Sequence, residues 1–157
     1  MSFYKIIGAV LIVLCGGSAA SHMNRRLSGE LSELEAWLML VGRIKTDIEC
    51  YSRPISEILS ENREILFRCG YTGEPPKDLE ELVSACDVKN KRLAELLSSF
   101  SSEFGRSYRE EQVARCQYYE SELDALRHSE LDEISKKKKL NTTLCISGSL
   151  AIAILLL

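Results

Sequence analysis

Six cysteines, two histidines and a dense set of carboxylates are the side chains of this sequence whose chemistry could go beyond packing. A catalytic thiol needs a neighbour that favours the thiolate, and a structural zinc site needs Cys and His ligands at close spacing. Cys15, Cys50, Cys69, Cys86, Cys116 and Cys145 are scattered without a CxxC pair, and neither His22 nor His128 has a Cys or His neighbour at ligand spacing. The thiols therefore read as small buried hydrophobes of a reducing compartment, and the histidines as surface or interface residues. Acid clusters such as "DLEELV" and "ELDE" fit solvated helix faces. The sequence has no phosphate-cradling glycine loop, nucleophile elbow or HExxH pair. No catalytic, cofactor-binding or metal site is expected, and the chain reads as non-enzymatic.

With chemistry absent, charge distribution carries the argument. The net charge of -3 gives no reason to expect nucleic acid. Ile6 to Ser21 and Leu140 to Leu157 hold no charge, while the stretch between them is rich in Glu, Lys and Arg. A helix rises about 1.5 Å per residue and crosses a hydrocarbon core with roughly 20 apolar residues, about 17 at the least. Both runs are near that limit, and both are expected to be transmembrane helices. The first, "IIGAVLIVLCGGSAAS", is diluted by Gly16 and Gly17 and also fits a signal peptide with Lys5 before it. Flanking charge favours an uncleaved anchor. Arg25 and Arg26 follow the first run and Lys136, Lys137, Lys138 and Lys139 precede the second, so the dense positive charge lies between the two. Positive residues near span ends stay cytoplasmic, which makes these six the topology-determining residues and puts residues 24–139 in the cytoplasm. The Asn141-Thr142-Thr143 sequon would then abut the cytoplasmic face and carries little weight.

The middle reads as helix almost throughout. Leu27, Leu31, Leu34, Leu38, Val41, Ile44 and Ile48 step by threes and fours along one face of a helix continuing out of the first run, and Trp37 and Leu40 widen that stripe. Pro54 opens a second helix through "PISEILSENREILFRCG", with Gly70 as its C-terminal cap. After the loop "GYTGEPP" come a short helix with Leu79, Leu82, Val83 and Cys86, and one with Leu93, Leu96, Leu97, Phe100 and Phe104 that stops near Gly105. Ser107 and Glu110 have capping-box spacing and start a last helix that carries Val113, Cys116, Tyr119, Leu123, Leu126 and Ile134 and runs through the lysines into the second span. The expected fold is an all-α, antiparallel cytoplasmic bundle flanked by N- and C-terminal transmembrane helices. Residues 1–23 form the first anchor, 24–139 the bundle and 140–157 the second anchor. Leu34 or Leu38 should approach Leu123 or Leu126.

From "KIIGAVLIV" through "RIKTDIECYSRPISEIL" and "FSSEFGRSYREEQ" to the terminal apolar run, the chain resembles the stage III sporulation protein AB family. An acidic residue and an Ile ahead of a Pro-hydrophobic pair are matched by Asp47, Ile48, Pro54 and Ile55, and a Gly seven residues before a Gln by Gly105 and Gln112. The family's aromatic two residues after that Ile is replaced by Cys50, with Tyr51 one place later, and the usual glycines of the final span are reduced to Gly148. The resemblance implies a non-enzymatic component of the sporulation channel complex between mother cell and forespore. It implies a place in the outer forespore membrane on the mother-cell side, among the other membrane proteins of that complex. It also implies similarity to the inner-membrane platform proteins of type II secretion and type IV pilus machines, and so contact with a cytoplasmic motor ATPase. Two other classes fit less well. A holin-like or pore-forming hairpin would need polar residues along one face of the spans, which "LAIAILLL" does not offer, and a membrane-tethered enzyme would need a convergent polar site.

Overall fold

The computed structural model describes residues 3–105 and 108–156. Every regular element among them is an α-helix: α1 (Phe3–Tyr51), α2 (Ile55–Glu61), α3 (Arg63–Arg68), α4 (Leu79–Ala85), α5 (Lys91–Glu103) and α6 (Arg109–Leu156). The all-α class follows from the threes-and-fours periodicity, and α6 does run unbroken through Lys136 to Lys139 into the last apolar run. Among the described residues no helix is long and apolar enough to cross a membrane. Side chains at Ile6 and Ala9 of the first uncharged run, and at Leu156 and Leu157 of the second, lie outside that description. The chain forms two compact units, Met1–Gly29 with Glu130–Leu157, and Glu30–Ser129.

In the Glu30–Ser129 unit, the α1 stripe is the floor of the core. Leu34, Trp37, Leu40, Val41, Ile44 and Ile48 are buried, and Leu38 packs at their edge. Leu123 and Leu126 of α6 join the same cluster, as expected for two long helices lying side by side. Lys45 of α1 pairs with Glu120 of α6, and Arg109 donates to the Glu49 carbonyl. Partner numbers fall on α6 as they rise on α1, which is an antiparallel register. The short helices complete the enclosure with Ile58, Leu59, Leu66, Leu79, Leu82, Leu93, Leu97 and Phe100, all buried. Phe100 is in contact with Phe104 and Tyr119 at ring-centroid distances of 5.3 and 5.1 Å, the range that aromatic pairs favour.

Chain reversals explain how so short a sequence returns to one stripe. Ser52 takes a left-handed φ of 50° just past Tyr51, and Pro54 then fixes an extended backbone at φ -67° and ψ 147° and caps α2. The single helix expected from Pro54 to Gly70 is instead two, broken at Asn62. That residue's backbone leaves the helical region (φ -102°, ψ 35°), and its side-chain amide donates to the Ile58 carbonyl at 2.8 Å, offering the chain an alternative to helix continuation. Gly70 ends α3 as expected: at φ 90° its N–H reaches the Phe67 carbonyl while Tyr71 N–H reaches Leu66, the two bonds of a Schellman cap. After α5, Phe104 N–H closes the last turn on the Phe100 carbonyl and Gly105 follows with a left-handed φ of 82°. The expected Ser107 to Glu110 capping box falls partly outside the described residues, since Ser107 is not among them.

The other unit joins the first part of α1 to the last part of α6. Gly16 is the point of closest approach: a Cβ there would lie 2.7 Å from Ser149 Oγ and 2.9 Å from the Cys145 carbonyl. Ala20, Ile134, Ser149 and Ala153 are buried around that line. Asn24 Nδ2 donates to Thr142 Oγ1 at 3.2 Å and Lys138 Nζ to Ser28 Oγ at 2.7 Å, so this pairing is antiparallel as well.

Two substitutions test these contacts. Leu34→Asp places an unpaired carboxylate in the core and should cost about 3 kcal/mol or more in denaturant unfolding of the full chain in mild detergent. An unchanged midpoint would show that Leu34 is not covered. Gly16→Leu should drive α1 and α6 apart, read as loss of disulfide trapping between cysteines placed at Asn24 and Thr142, which are in hydrogen-bond contact, whereas Gly17→Leu, where a Cβ meets nothing within 4 Å, should not.

Candidate functional site

The residues singled out by sequence fall in different parts of the fold. Arg25 and Arg26 lie on α1 and Lys136 to Lys139 on α6, all within the Met1–Gly29 with Glu130–Leu157 unit. The four lysines are not equivalent. Lys137 pairs with Glu133 one turn back at 3.0 Å, Lys138 reaches across to Ser28, and Lys136 and Lys139 are exposed.

The motif residues belong to the Glu30–Ser129 unit and serve the bundle's corners. Ile48 is in the core and its carbonyl accepts from Ser52 N–H at 3.2 Å; Asp47 beside it is half-buried. The Pro54 carbonyl accepts from Glu57 and Ile58 N–H at 3.1 and 3.3 Å, and Ile55 packs against the core. Gly105 supplies the positive φ after α5, and Gln112, in the first turn of α6, donates its backbone N–H to the Tyr108 carbonyl. These positions shape corners; none of them gathers with acids, bases or nucleophiles into a reactive constellation.

Residues 52–87 carry a cleft and an exposed aromatic. Arg53 straps the α1–α2 corner, lying 5.4 Å from the Tyr51 ring and pairing with Glu61 at 2.6 Å and Glu57 at 3.9 Å. Beyond it a cleft of about 350 Å³ is lined by Arg63, Glu64, Phe67, Tyr71, Thr72 and Pro75, among others. Its shape is held from below by the Schellman cap and from above by Tyr71, whose hydroxyl donates to the Glu74 carbonyl at 2.7 Å. Phe67 is 69% exposed, an aromatic left outside the core at the rim of this cleft. The same stretch carries eight acidic and four basic residues, a net charge of -4. Helical spacing alone puts Phe67 outside the face that carries Ile55, Ile58, Leu59 and Leu66, but it does not tell that a cleft opens beside it, which depends on the fold of the loop after Gly70.

The thiols divide by burial. Cys69 and Cys116 are fully buried as expected, but Cys50 and Cys15 are exposed, so the reading of all six as buried hydrophobes fails for these two. Cys50 sits on the solvent face of the last turn of α1, one position from the exposed Tyr51. Burial pushes the Cys116 thiol up to about 12, with Lys45 opposing and Glu120 reinforcing, and the Cys86 thiol up to about 11, with Glu33 adding to it. Cys69 is raised further by burial, with Cys86 and Glu33 beside it. Desolvation also raises Glu33, against the pull of Lys89. Such thiols stay protonated and unreactive. Among the described residues no group of His, Cys, Asp and Glu side chains is placed to hold a metal ion.

A family model described as stage III sporulation protein AB matches residues 5–66 and 77–157. Residues 67–76, which include Phe67 and Tyr71, lie between the two matched stretches. No curated protein and no solved structure matches the chain.

The thiol environments predict a pH dependence. Unfolded thiols titrate near 8.5, and those of Cys86 and Cys116 titrate about 11 and about 12 when folded. Above pH ~8.5 the folded chain therefore holds more protons than the unfolded one, so stability contributed by these thiols is full below that value and declines as pH rises through 11 to 12. Cys116→Ala should flatten this alkaline slope in denaturant titrations. In the native state at pH 8 a maleimide should modify Cys50 and leave Cys69 and Cys116 untouched.

Proposed function

The chain belongs to the stage III sporulation protein AB family, and from that membership we propose that it is a membrane-anchored, non-enzymatic adaptor of the sporulation channel complex that contacts a cytoplasmic motor ATPase. The observation that carries this reading is the match along both long helices, 5–66 and 77–157, on a chain whose two uncharged runs each end at a basic cluster. Ile6 to Ser21 and Leu140 to Leu157 then lie in the membrane, with residues 24–139 on the cytoplasmic side where Arg25, Arg26 and the lysines hold them. Packing within the apolar pair supports anchoring over a pore in a single chain. Gly16 lies directly on Ser149 and the Cys145 carbonyl, which leaves no room for water along that line.

In this reading the ATPase binds the surface of residues 52–87, and its own contact patch is basic. A contact shared across the family would rest on matched residues, here Arg63 and Glu64 and the exposed acids of α2 and α4. One particular to this chain would use Phe67 and Tyr71. A second reading places the contact on α6, where a groove of about 470 Å³ is lined by Arg92, Glu95, Ser99, Glu122 and Ser129.

Two experiments test these proposals. In intact cells Cys50 is the native thiol that reports topology, because it is exposed and lies in the span assigned to the cytoplasm. A membrane-impermeant maleimide should label it only after lysis, and labelling without lysis would overturn the topology. Co-purification of the ATPase from sporulating cells should fall tenfold or more for Glu57→Lys/Glu64→Lys, a loss of about 1.4 kcal/mol. Should those variants bind normally while Glu95→Lys/Glu122→Lys do not, the contact lies on the α5–α6 groove. A loss confined to Phe67→Ala would mark a contact particular to this chain.

A further inference from the structure

One groove in the Met1–Gly29 with Glu130–Leu157 unit has a chemical character that anchoring alone does not require. It measures about 390 Å³ and lies between α1 and α6. Gly17, Ala20 and Ile146 line one end, and Asn24, Arg25, Ser28, Lys138 and Thr142 the other. Along both helices it therefore straddles the change from uncharged run to basic cluster: Gly17 and Ile146 lie inside or beside the apolar runs, and Arg25 and Lys138 lie just outside them. Only one of the four lysines takes part, since Lys136, Lys137 and Lys139 are not among the lining residues.

The polar end is organised. Lys138 Nζ donates to Ser28 Oγ at 2.7 Å, and that hydroxyl donates in turn to the Asn24 carbonyl at 3.0 Å. An ammonium has three protons, so one such bond fixes its position and leaves donors over. Arg25 lines the same groove, and no acidic residue does. Beside these cations Asn24 Nδ2 is bound to Thr142, while Asn24 Oδ1 is shut off from solvent without any hydrogen-bond partner. A buried acceptor left unmet is costly, and it is met only by a ligand that brings a donor.

We propose that this groove binds the headgroup of an anionic glycerophospholipid, phosphatidylglycerol, with its phosphate on Arg25 and Lys138 and, once the Asn24 side chain turns into the groove that it lines, a headgroup hydroxyl donating to Asn24 Oδ1. The proposal rests on the membrane reading given above. Lys138, held by Ser28, and the exposed Arg25 line the groove with no acidic residue among the lining, which selects a net negative ligand, and the orphaned amide oxygen selects one with a hydroxyl. Phosphatidylethanolamine could also donate to Asn24, but its ammonium would stand beside Arg25 and Lys138 and it offers no net negative charge. The small side chains at Gly17 and Ala20 leave space for the glycerol backbone, with the acyl chains directed along the apolar runs.

The full chain, reconstituted in nanodiscs of phosphatidylglycerol and phosphatidylcholine with matched acyl chains and released into native mass spectrometry, should retain the anionic lipid preferentially. With each surface cation worth roughly fivefold in affinity, Arg25→Gln/Lys138→Gln should lower that preference about 25-fold, and Arg25→Gln alone about fivefold if the double variant folds poorly. Lys136→Gln/Lys139→Gln removes the same charge from outside the groove and should keep the preference. Asn24→Leu should abolish discrimination between phosphatidylglycerol and phosphatidic acid, which lacks the headgroup hydroxyls. Equal retention by wild type and Arg25→Gln/Lys138→Gln, or an equal loss in Lys136→Gln/Lys139→Gln, overturns the site. Saturation in detergent by glycerol phosphate at concentrations that displace the lipid would assign the groove to a soluble phosphate instead. Extraction of the native protein from membranes by alkaline carbonate would remove the membrane reading and the site together, whereas resistance without lipid preference removes the site alone.

Discussion

An apolar stripe on a helix in water persists only when other surfaces cover it, and between Leu34 and Ile48 α1 carries Trp37, Leu40, Val41 and Ile44 at 1% exposure or less. One helix cannot enclose so wide a face. The chain returns to it repeatedly, with Ile58, Leu59 and Leu66 from α2 and α3, Leu79 to Phe100 from α4 and α5, and Cys116 to Leu126 from α6. Each return needs a sharp reversal in a small space. Left-handed backbone at Ser52, Gly70 and Gly105 supplies three of the turns; a side-chain cap at Asp78 starts α4 after the second of them, and one at Asn90 starts α5 after the connection from α4. The corners are thus consequences of the stripe, and the family's motif positions Pro54 and Gly105 are two of those corners.

Periodicity made most of this legible. The α1 stripe, the apolar faces of α4 and α5, the stops at Gly70 and Gly105 and the unbroken course of α6 can each be read from residue spacing, because each rests on repeats of three and four or on a glycine's access to positive φ. What could not be read was decided by single polar side chains. Asn62 splits one apolar run into α2 and α3 without interrupting its spacing. Asp78 caps α4 by accepting from Glu81 N–H at 2.8 Å, while Glu81 accepts from Lys77 N–H. That D-x-x-E spacing is the same as that of Ser107 and Glu110, but it lies inside an acidic run that resembles a solvated face. Composition points Cys50 to the interior, although its position falls off the stripe and it is exposed.

Glycine in the first apolar run raises a related point. Gly16 and Gly17 dilute hydropathy, and on that scale they weaken the case for a membrane helix. In the fold Gly16 is where α1 meets Ser149, and Ala20, Ser149 and Ala153 continue a line of small residues at helical spacing. In the membrane setting proposed above no hydrophobic force would drive association of the two runs, which leaves close backbone approach as the source of contact. Residues that lower hydropathy, Gly16 first, are the ones at the contact. The groove with Asn24 and Lys138 borders that line, because side chains small enough to permit contact on one face leave space on the next.

On the proposed reading, a partner must recognise surface that the fold itself does not consume. Along residues 52–87 much of the charge is already committed: Arg53 to Glu57 and Glu61, and Asp78 and Glu81 to the start of α4. Exposed ion pairs of this kind contribute little stability each, on the order of 0–1 kcal/mol, but they fix where side chains point. Arg63, Glu64 and Phe67 have no part in these caps and straps and are all exposed. They occupy consecutive turns of α3, a helix that exists as a separate element only because Asn62 breaks the chain before it. All three fall off the face that carries Ile55, Ile58, Leu59 and Leu66, so an aromatic and two opposite charges stand outward together while the buried Leu66 holds α3 to the core.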